Sequence, residues 1–526
     1  MSPRYTNSNP KTAYDELPYH FAGQFWAHPA RLAALARLHG LGAAKPEACR
    51  FVDFGCGNGL TVLALASLFP ASEFLGVDLA AEHVSFAETL AREAGLSNAR
   101  FLCAGFEDID PARIGTADYA ICSGVYAWMP GGAREALWEI VGKVLAPEGH
   151  FGVRYPTLPG SSHMVAVRGP VLFETNRHTD PREKIAAGRA MVGLLGEFAG
   201  HCKTPGIAEL RTFLAQGDRF GGDTNFFHEW LGPHYAVFAF HEVAATASRH
   251  DLHYLTDAEQ TMYPPWALGQ PAARVVSLAS TNRIEIEQYS DFAANRMVRT
   301  SVFSRQTGSD VPTPQWLPFL WVRSFLLPDP DAKKPGDFIK PPGQKVALEE
   351  PWILALLAAM PEGRPRPFSP AAAVVRAACI QMAGEADTRF AEGLAWLLRL
   401  VAAGLVDFCL PHTPAWAASR EGGDPPLVSP LNRALARRGL PLILGDLNAA
   451  NIPESLSHAL TLCDGQTPRQ EISLRILAAQ ADGTLPDRPA TSPGEAEMFL
   501  ARLWKKIDTL GLLEHRFPSI SNGPSL

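Results

Sequence analysis

The sequence predicts an α/β protein: a doubly wound sheet in the first part of the chain, followed by a mainly helical C-terminal region. Three observations carry that prediction. The stretch "FVDFGCGNG" (51–59) runs from an apolar strand into a turn of alternating glycines, and then into the apolar helix "LTVLALASLF" (60–69). Strand and helix patterns alternate from there to residue 156. Beyond "LPDPDAKKPGDF" (327–338), a Pro/Asp/Lys-rich boundary, helical patterns dominate and strands become few.

Each element of the sheet follows in order. Phe51, Val52 and Phe54 read as a buried parallel strand with Asp53 at its end. "EFLGVD" (73–78) is the second strand, and "AAEHVSFAETLAREAG" (80–95) a helix with apolar residues at helical spacing. "ARFLCAG" (99–105) and "ADYAICSG" (117–124) are the third and fourth strands. The helix "AREALWEIVGKVLAP" (133–147) leads to the fifth, "GHFGVRYP" (149–156). Such alternation builds a parallel sheet with helices on both faces, and ligands sit at the carboxyl ends of its strands.

The glycine turn and Asp78 are the first candidate site residues. A strand, a glycine turn and a helix N-terminus cradle nucleotides, because the backbone comes close and free amides point at the ligand. A dinucleotide fingerprint would require glycine at position 60, where the chain has Leu60. The spacing G-x-G-x-G after an acidic strand end fits S-adenosylmethionine better than NAD. Asp78 ends the second strand, roughly 20 residues past the turn, where a carboxylate accepts from ribose hydroxyls. Two alternatives stay open: tight turns also use glycine for structure alone, and Asp78 could cap the helix that follows, a role compatible with ribose binding.

Composition bounds the rest. The 526 residues suggest about two to four domains. The chain is 47% hydrophobic and 19% charged, normal for a globular protein with real cores. The net charge of −7 and the lack of a basic stripe argue against a nucleic-acid partner. The opening "MSPRYTNSNPKTAYDELPYH" has no apolar core of a signal peptide, and no run is long enough for a membrane span. Eight scattered cysteines without a C-x-x-C pair read as reduced core thiols in a cytoplasmic protein, with no metal site expected.

At this point the sequence resembles a known group: bacterial class I methyltransferases that carry a methyltransferase regulatory domain, including the rickettsial outer-membrane-protein lysine methyltransferases. The matching stretches are "YDELPY" (14–19), "HPARLAALARLHGL" (28–41), "CRFVDFGCGNG" (49–59), "DYAICSGVYAWMP" (118–130) and "YPTLPG" (155–160). "FFHEWL" (226–231) and "EQYSDFAANRMVRTSVFSR" (287–305) extend the match into the regulatory region. The resemblance implies an S-adenosylmethionine-dependent enzyme acting on a protein substrate, most plausibly on lysine. It also implies a Rossmann-like sheet of seven strands, closed by "HYLTDAE" (253–259) after the helix "YAVFAFHEVAATASRHD" (235–251), and by "MVRTSVFSR" (297–305). Residues 160 to 235 are then a helical insertion, with clear helices in "PREKIAAGRAMVGLLGEFAG" (181–200) and "GIAELRTFLAQG" (206–217). It either shapes substrate access or decorates the fold.

The cofactor set expected from turn and resemblance together is Asp53, Gly55, Cys56, Gly57, Gly59, Asp78, Leu79, Phe106, Glu107 and Ser123. Three departures from the family pattern stand out. Gly105 replaces the acid that grips the adenine amine, leaving Glu107 and Asp108 nearest, with Phe106 for stacking; Ser123 replaces a histidine, and Pro156 an asparagine. The donor is already activated, so transfer needs an in-line acceptor lone pair and neither a metal nor a covalent nucleophile. A lysine acceptor must first lose its proton, which an apolar pocket favours and aromatic rings can line. Tyr14, Tyr126, Trp128 and Tyr155 are the candidates for that catalytic pocket, with Tyr19 nearby in the arm. Aromatic residues also serve as core, and Tyr14 could equally pack the N-terminal arm.

The expected division is a cofactor-binding core with a lid arm at 1–160, regulatory insertion and closing strands at 161–306, and winged-helix-like units at 307–526. Residues 350–408 and 454–515 form a weak repeat, each ending in a G-L-V or G-L-L strand. Lacking a concentrated basic face, the pair suits protein docking or a homodimer. A small-molecule methyltransferase and a non-catalytic S-adenosylmethionine-binding scaffold are the alternative functions.

Overall fold

The computed structural model describes residues 24–203, 207–215, 221–259, 282–324, 326–329, 332, 334, 336–340, 344–360, 369–383, 389–411, 425–443, 449–450, 452–485 and 492–509. Tyr14 and Tyr19 lie outside them, as does the G-L-L stretch at 511–513.

Seven strands form one sheet in the order β3-β2-β1-β4-β5-β7-β6. They are β1 (Arg50–Phe54), β2 (Glu73–Asp78), β3 (Ala99–Cys103), β4 (Ala117–Cys122), β5 (Leu145–Pro156), β6 (His253–Asp257) and β7 (Val298–Ser304). The first five pair in parallel, and β7 runs antiparallel between β5 and β6. Strand order reverses between β1 and β4, so their carboxyl ends open the crevice where such sheets take ligands.

Helices cover both faces. On one lie α1 (Pro29–Leu38), α2 (Leu60–Leu68) and α3 (Ala81–Glu93). Helix α2 reads apolar all round and is buried on nearly every side. Helix α3 buries His83, Val84, Ala87, Leu90 and Ala91, one stripe at helical spacing, and leaves its other face to solvent. The opposite face carries the one-turn α4 (Pro111–Ile114) and α5 (Gly131–Val144), packed over Val52, Phe54, Ala120 and Phe151.

The predicted insertion is helical: α6 (Ser162–Thr175), α7 (Pro181–His201), α8 (Ile207–Leu214) and α9 (Asp223–Leu231) share a core of Val167, Val171, Ile185, Phe213, Phe226 and Trp230. Asp180 starts α7 by accepting from Arg182 N at 2.9 Å and Glu183 N at 3.1 Å, with Pro181 at the first helical position.

Two segments depart from expectation. The helix predicted over 235–251 begins only at Phe240, as α10 (Phe240–Ser248). Residues before it are held extended, because Phe238 N donates to Pro156 O (3.1 Å) and Leu158 N to Phe238 O (3.0 Å). A further helix, α11 (Arg283–Ala294), precedes β7 inside a stretch that had been read only as a family match and a strand. Asn282 caps its start and Asn295, at φ 48°, ends it in the left-handed region.

The C-terminal region is mostly helical. Its first part has strand β8 (Trp321–Ser324), then β9 (Leu327–Pro328), β10 (Asp337–Lys340) and β11 (Gln344–Ala347), a small antiparallel sheet. Helix α12 (Pro351–Ala358), β12 (Ser369–Pro370), α13 (Ala371–Ala383), α14 (Phe390–Ala402) and β13 (Val406–Cys409) follow. The expected closing strand is β13, paired with β8, which also pairs with β12. The second part holds α15 (Pro430–Arg437), the two-residue β14 (Leu442–Ile443) and β15 (Ala449–Ala450), α16 (Glu454–Leu462), α17 (Arg469–Ala481) and α18 (Pro493–Thr509).

This region is not an appendage. Its apolar core is continuous with the α1–α2 side of the sheet. Buried Arg31 of α1 pairs with Asp407 of β13, which Arg323 also reaches at 3.1 Å. Leu410 N donates to Ala30 O at 2.9 Å, and Arg438 of α15 meets Glu93 of α3 at 2.5 Å. Among the described residues no helix is long and apolar enough to cross a membrane.

Candidate functional site

The glycine turn is tied down from below. Gly55 N and Cys56 N both donate to Val77 O, at 2.7 and 3.0 Å, so the turn hangs on the end of β2. Gly55, Gly57 and Gly59 have φ of 82°, 53° and 73°, backbone that a side chain resists. Gly59 is also crowded: a Cβ there would meet Phe101 at 2.6 Å and Ala87 at 2.7 Å. Val125, from the loop after β4, closes against Gly55 in the same way.

Asp78 braces the turn, and Ala80 rather than Asp78 stands at the N-cap of α3. Oδ2 of Asp78 accepts from Gly57 N at 2.8 Å, and its Oδ1 accepts from Ala80 N at 2.9 Å, just before α3. A carboxylate has about four acceptor sites, so each oxygen keeps capacity for a ribose hydroxyl. Asp53 is in the opposite state. It is buried, and its Oδ1 has no hydrogen-bond partner among the described residues. Burial, with Asp78 nearby, pushes its pKa up to about 8.

The expected adenine side of the crevice follows β2 and β3. Leu79, just past the end of β2, is 46% exposed. Gly105 has ordinary backbone, and the place of its missing Cβ lies 3.4 Å from Asp108 Oδ2 and 3.6 Å from Leu79 Cδ1. Asp108 therefore sets a carboxylate beside Gly105. Glu107 turns the other way, its carboxylate against Gly132 at the start of α5. Phe106 is half-buried and edge-on to Phe54, with ring centroids 5.9 Å apart. Cys56 is buried beneath the turn, and burial raises its thiol well above the ordinary range.

Ser123, Tyr126 and Trp128 follow β4, and Tyr155 ends β5 beside them. Ser123 and Trp128 are partly exposed. Tyr126 and Tyr155 are buried with ring centroids 6.0 Å apart, and Phe238 lies 4.9 Å from Tyr126. Both hydroxyls are engaged: Trp138 Nε1 donates to Tyr126 at 2.9 Å, and Tyr155 shares a hydrogen with Ser301 at 2.9 Å. Burial raises both phenols above their usual pKa, so they stay protonated. On the far side of Tyr126, an open cleft of about 230 Å³ lies between α5 and α10, bordered by Arg134, Trp138 and Phe238.

Beyond β5 the sheet ends in a buried ion network. Arg299 reaches Asp291 at 2.7 Å and Glu287 at 2.8 Å, and Arg296 reaches Asp257 at 2.7 Å. Arg154 pairs with Glu259 at its more exposed rim. Arg168 of α6 stacks on Trp128 and on Tyr235. None of these contacts was legible from motifs. A lone arginine amid the apolar run "MVAVRG" was the one available signal for Arg168.

The residues present fit S-adenosylmethionine. The orphaned Asp53 oxygen and the spare capacity of Asp78 suit its charged and hydroxyl-bearing parts, and exposed Leu79 offers an apolar wall for a base. Comparison with known proteins agrees. Residues 45–187 match the family model of a methyltransferase domain, and residues 223–305 that of a predicted methyltransferase regulatory domain. Over 294 residues the chain is 33% identical to the uncharacterized protein RP789 of Rickettsia prowazekii, covering 55% of this chain and 52% of that one. It thus spans about half the length of that relative. A second R. prowazekii protein, RP028, is 27% identical over 45% of this chain and 95% of its own. The structure of PKMT2 from Rickettsia typhi in complex with AdoHcy superposes with a TM-score of 0.78 at 21% identity, over 95% of this chain and all of that one. That likeness shows a shared fold extending through the C-terminal region. In sheet order and matched segments, the chain resembles the class I methyltransferases that carry a methyltransferase regulatory domain.

Proposed function

We propose that this protein transfers methyl groups from S-adenosylmethionine to lysine side chains of a protein substrate. The observation that carries the cofactor half is Asp53: a buried carboxylate with an unpartnered oxygen, beneath a glycine turn built on Asp78. Such a group is costly unless a ligand satisfies it. The sulfonium supplies the methyl group when bound. Asp53, Gly55, Gly57, Gly59 and Asp78 bind and orient that ligand, while Leu79, Phe106 and Asp108 take its base. Glu107, turned toward α5, has a smaller part in this reading.

The acceptor half rests on the strand ends of β4 and β5. Ser123 and Trp128 line the mouth, with Tyr126 and Tyr155 as a rigid apolar floor beneath them. An amine held against such a wall is favoured in its neutral form, which is the form that has a lone pair. Tyr14, in the family-like arm "YDELPY", completes the pocket in this reading.

The core at 1–160, the regulatory segment at 161–306 and the C-terminal region are proposed as three units. The order helix, strand, helix, helix, strand over 351–409 supports a winged-helix-like unit there, used to dock a protein or a second copy. Calorimetric titration with S-adenosylmethionine, followed by labelling of a lysate with radioactive donor, tests the whole proposal. Micromolar binding and label retained in precipitated protein support it. Label only in small molecules moves the acceptor to that class, and binding without any transfer makes the protein a scaffold.

A further inference from the structure

Trp128 stands on the loop after β4, yet what holds its indole comes from elsewhere in the chain. Arg168 of α6 is buried, with its guanidinium carbon 5.1 Å over the Trp128 ring and 5.0 Å over the Tyr235 ring. The two rings themselves are 4.8 Å apart. Arg168 Nη1 donates to Glu229 O and Nη2 to Gly232 O, each at 2.6 Å. Those carbonyls close the C-terminal end of α9, where the helix carries negative partial charge and a cation bonds well.

Among the described residues no carboxylate lies within ion-pair distance of Arg168. A buried cation without one is an expensive way to fill space, and an apolar side chain of similar volume would pack there at less cost. What arginine adds is direction. Its planar fork fixes two carbonyls while its faces fix two rings. The same three segments touch twice more: Ala236 N donates to Ala127 O at 3.0 Å, and the place of a Gly232 Cβ lies 3.6 Å from the Trp128 ring.

We infer that Arg168 is a positioning residue for the acceptor: it couples the end of α9, inside the regulatory segment, to the Trp128 indole at the mouth of the site. A displacement of α9 then reorients Trp128 without touching the glycine turn. This rests on the proposal that Trp128 faces the acceptor.

The test uses the full chain labelled with 5-fluorotryptophan, with Trp128→Phe to assign one of the eleven tryptophan resonances. Wild type, Arg168→Lys and Arg168→Met are compared by fluorine NMR, by calorimetry with S-adenosylmethionine, and by kcat and KM for poly-L-lysine. In Arg168→Met the Trp128 resonance moves or broadens, KM rises about tenfold, and donor affinity stays within about twofold. Lysine keeps the charge but lacks the fork, so Arg168→Lys falls between the two. An unmoved Trp128 resonance, or a moved one with unchanged KM, overturns the inference. Loss of donor binding with all resonances shifting together also overturns it, since Arg168 would then serve the fold. If wild type transfers nothing to poly-L-lysine, the acceptor reading fails, and the Trp128 resonance alone still decides whether Arg168 holds the ring.

Discussion

Asp53 and Asp78 end neighbouring parallel strands, and their carboxylates have opposite fates. Asp78 accepts from Gly57 N and Ala80 N, whereas the buried Oδ1 of Asp53 accepts from no described group. One carboxylate builds the turn, and the other lies beneath it with an unpartnered oxygen among the described residues.

That difference has a pH signature. Asp53 has a folded pKa of about 8 against an ordinary 3.8, because burial, and then Asp78, penalise its charge. Between those values the native state keeps a proton that the unfolded chain has lost, so stability falls as pH rises through the window. Asp53→Asn removes the effect and is expected to be more stable than wild type at pH 8, on the order of 5 kcal/mol, with the gap closing toward pH 4. Paired urea titrations at both pH values check this. Affinity for the cationic donor rises with pH in wild type and is flat in the variant. A wild-type midpoint that does not fall relative to Asp53→Asn between pH 5 and 8 sinks the assignment.

In the proposed site, Asp108 stands in for the acid missing at Gly105. Asp108→Ala is expected to weaken S-adenosylmethionine binding about tenfold, as one charge-assisted hydrogen bond is lost. Gly105 has a normal φ and open space for a side chain, so Gly105→Asp folds. Combined with Asp108→Ala it restores binding, whereas alone it places two like charges together and gains nothing. Calorimetry on the three variants decides, and no rescue in the double variant refutes this reading.

Gly59→Ala tests the turn by sterics. With φ at 73° and Phe101 and Ala87 closer than 3 Å to any Cβ, the variant has no relaxed solution. It is expected to lose about 3 kcal/mol or more of stability, from backbone strain and overpacking together. Gly95→Ala, also at positive φ but in open space, provides the control at about 1 kcal/mol. Equal losses at the two positions would show that contact with Phe101 does not matter.

Asp407 is the counterion of both Arg31 and Arg323, all three nearly buried. Asp407→Asn removes the carboxylate that these two nearly buried guanidinium groups share, a loss of about 3–5 kcal/mol. The prediction is a lower melting temperature and early proteolysis within the C-terminal region. Susceptibility confined to the glycine turn would contradict it.

The sheet was largely legible because its strands are short apolar runs bounded by glycine, proline and charge, and because one helix follows each of the first strands. Asp78 was legible from spacing. Phe238 was not: its apolar run "YAVFAF" reads as helix, and backbone hydrogen bonds to Ala127, Pro156 and Leu158 hold it extended. Arg296 and Arg299 read as ordinary polar residues of a strand, and their burial depends on Asp257, Glu287 and Asp291 from other elements. Sequence periodicity reports which face a residue occupies. It does not report which distant charge meets it there, and in this protein those meetings position the site's edge.

The pairing of Arg31 with Asp407 also has a consequence for synthesis. The two partners are 376 residues apart, and α1 lies against the same sheet that holds the glycine turn. At roughly 5–20 residues per second, the first helix waits some 20–75 seconds for its counterion to be translated. Until then a cationic, otherwise apolar helix has no finished partner surface. The nascent chain therefore holds a complete cofactor turn well before it has a settled first helix, and that interval is when a chaperone would have most to protect.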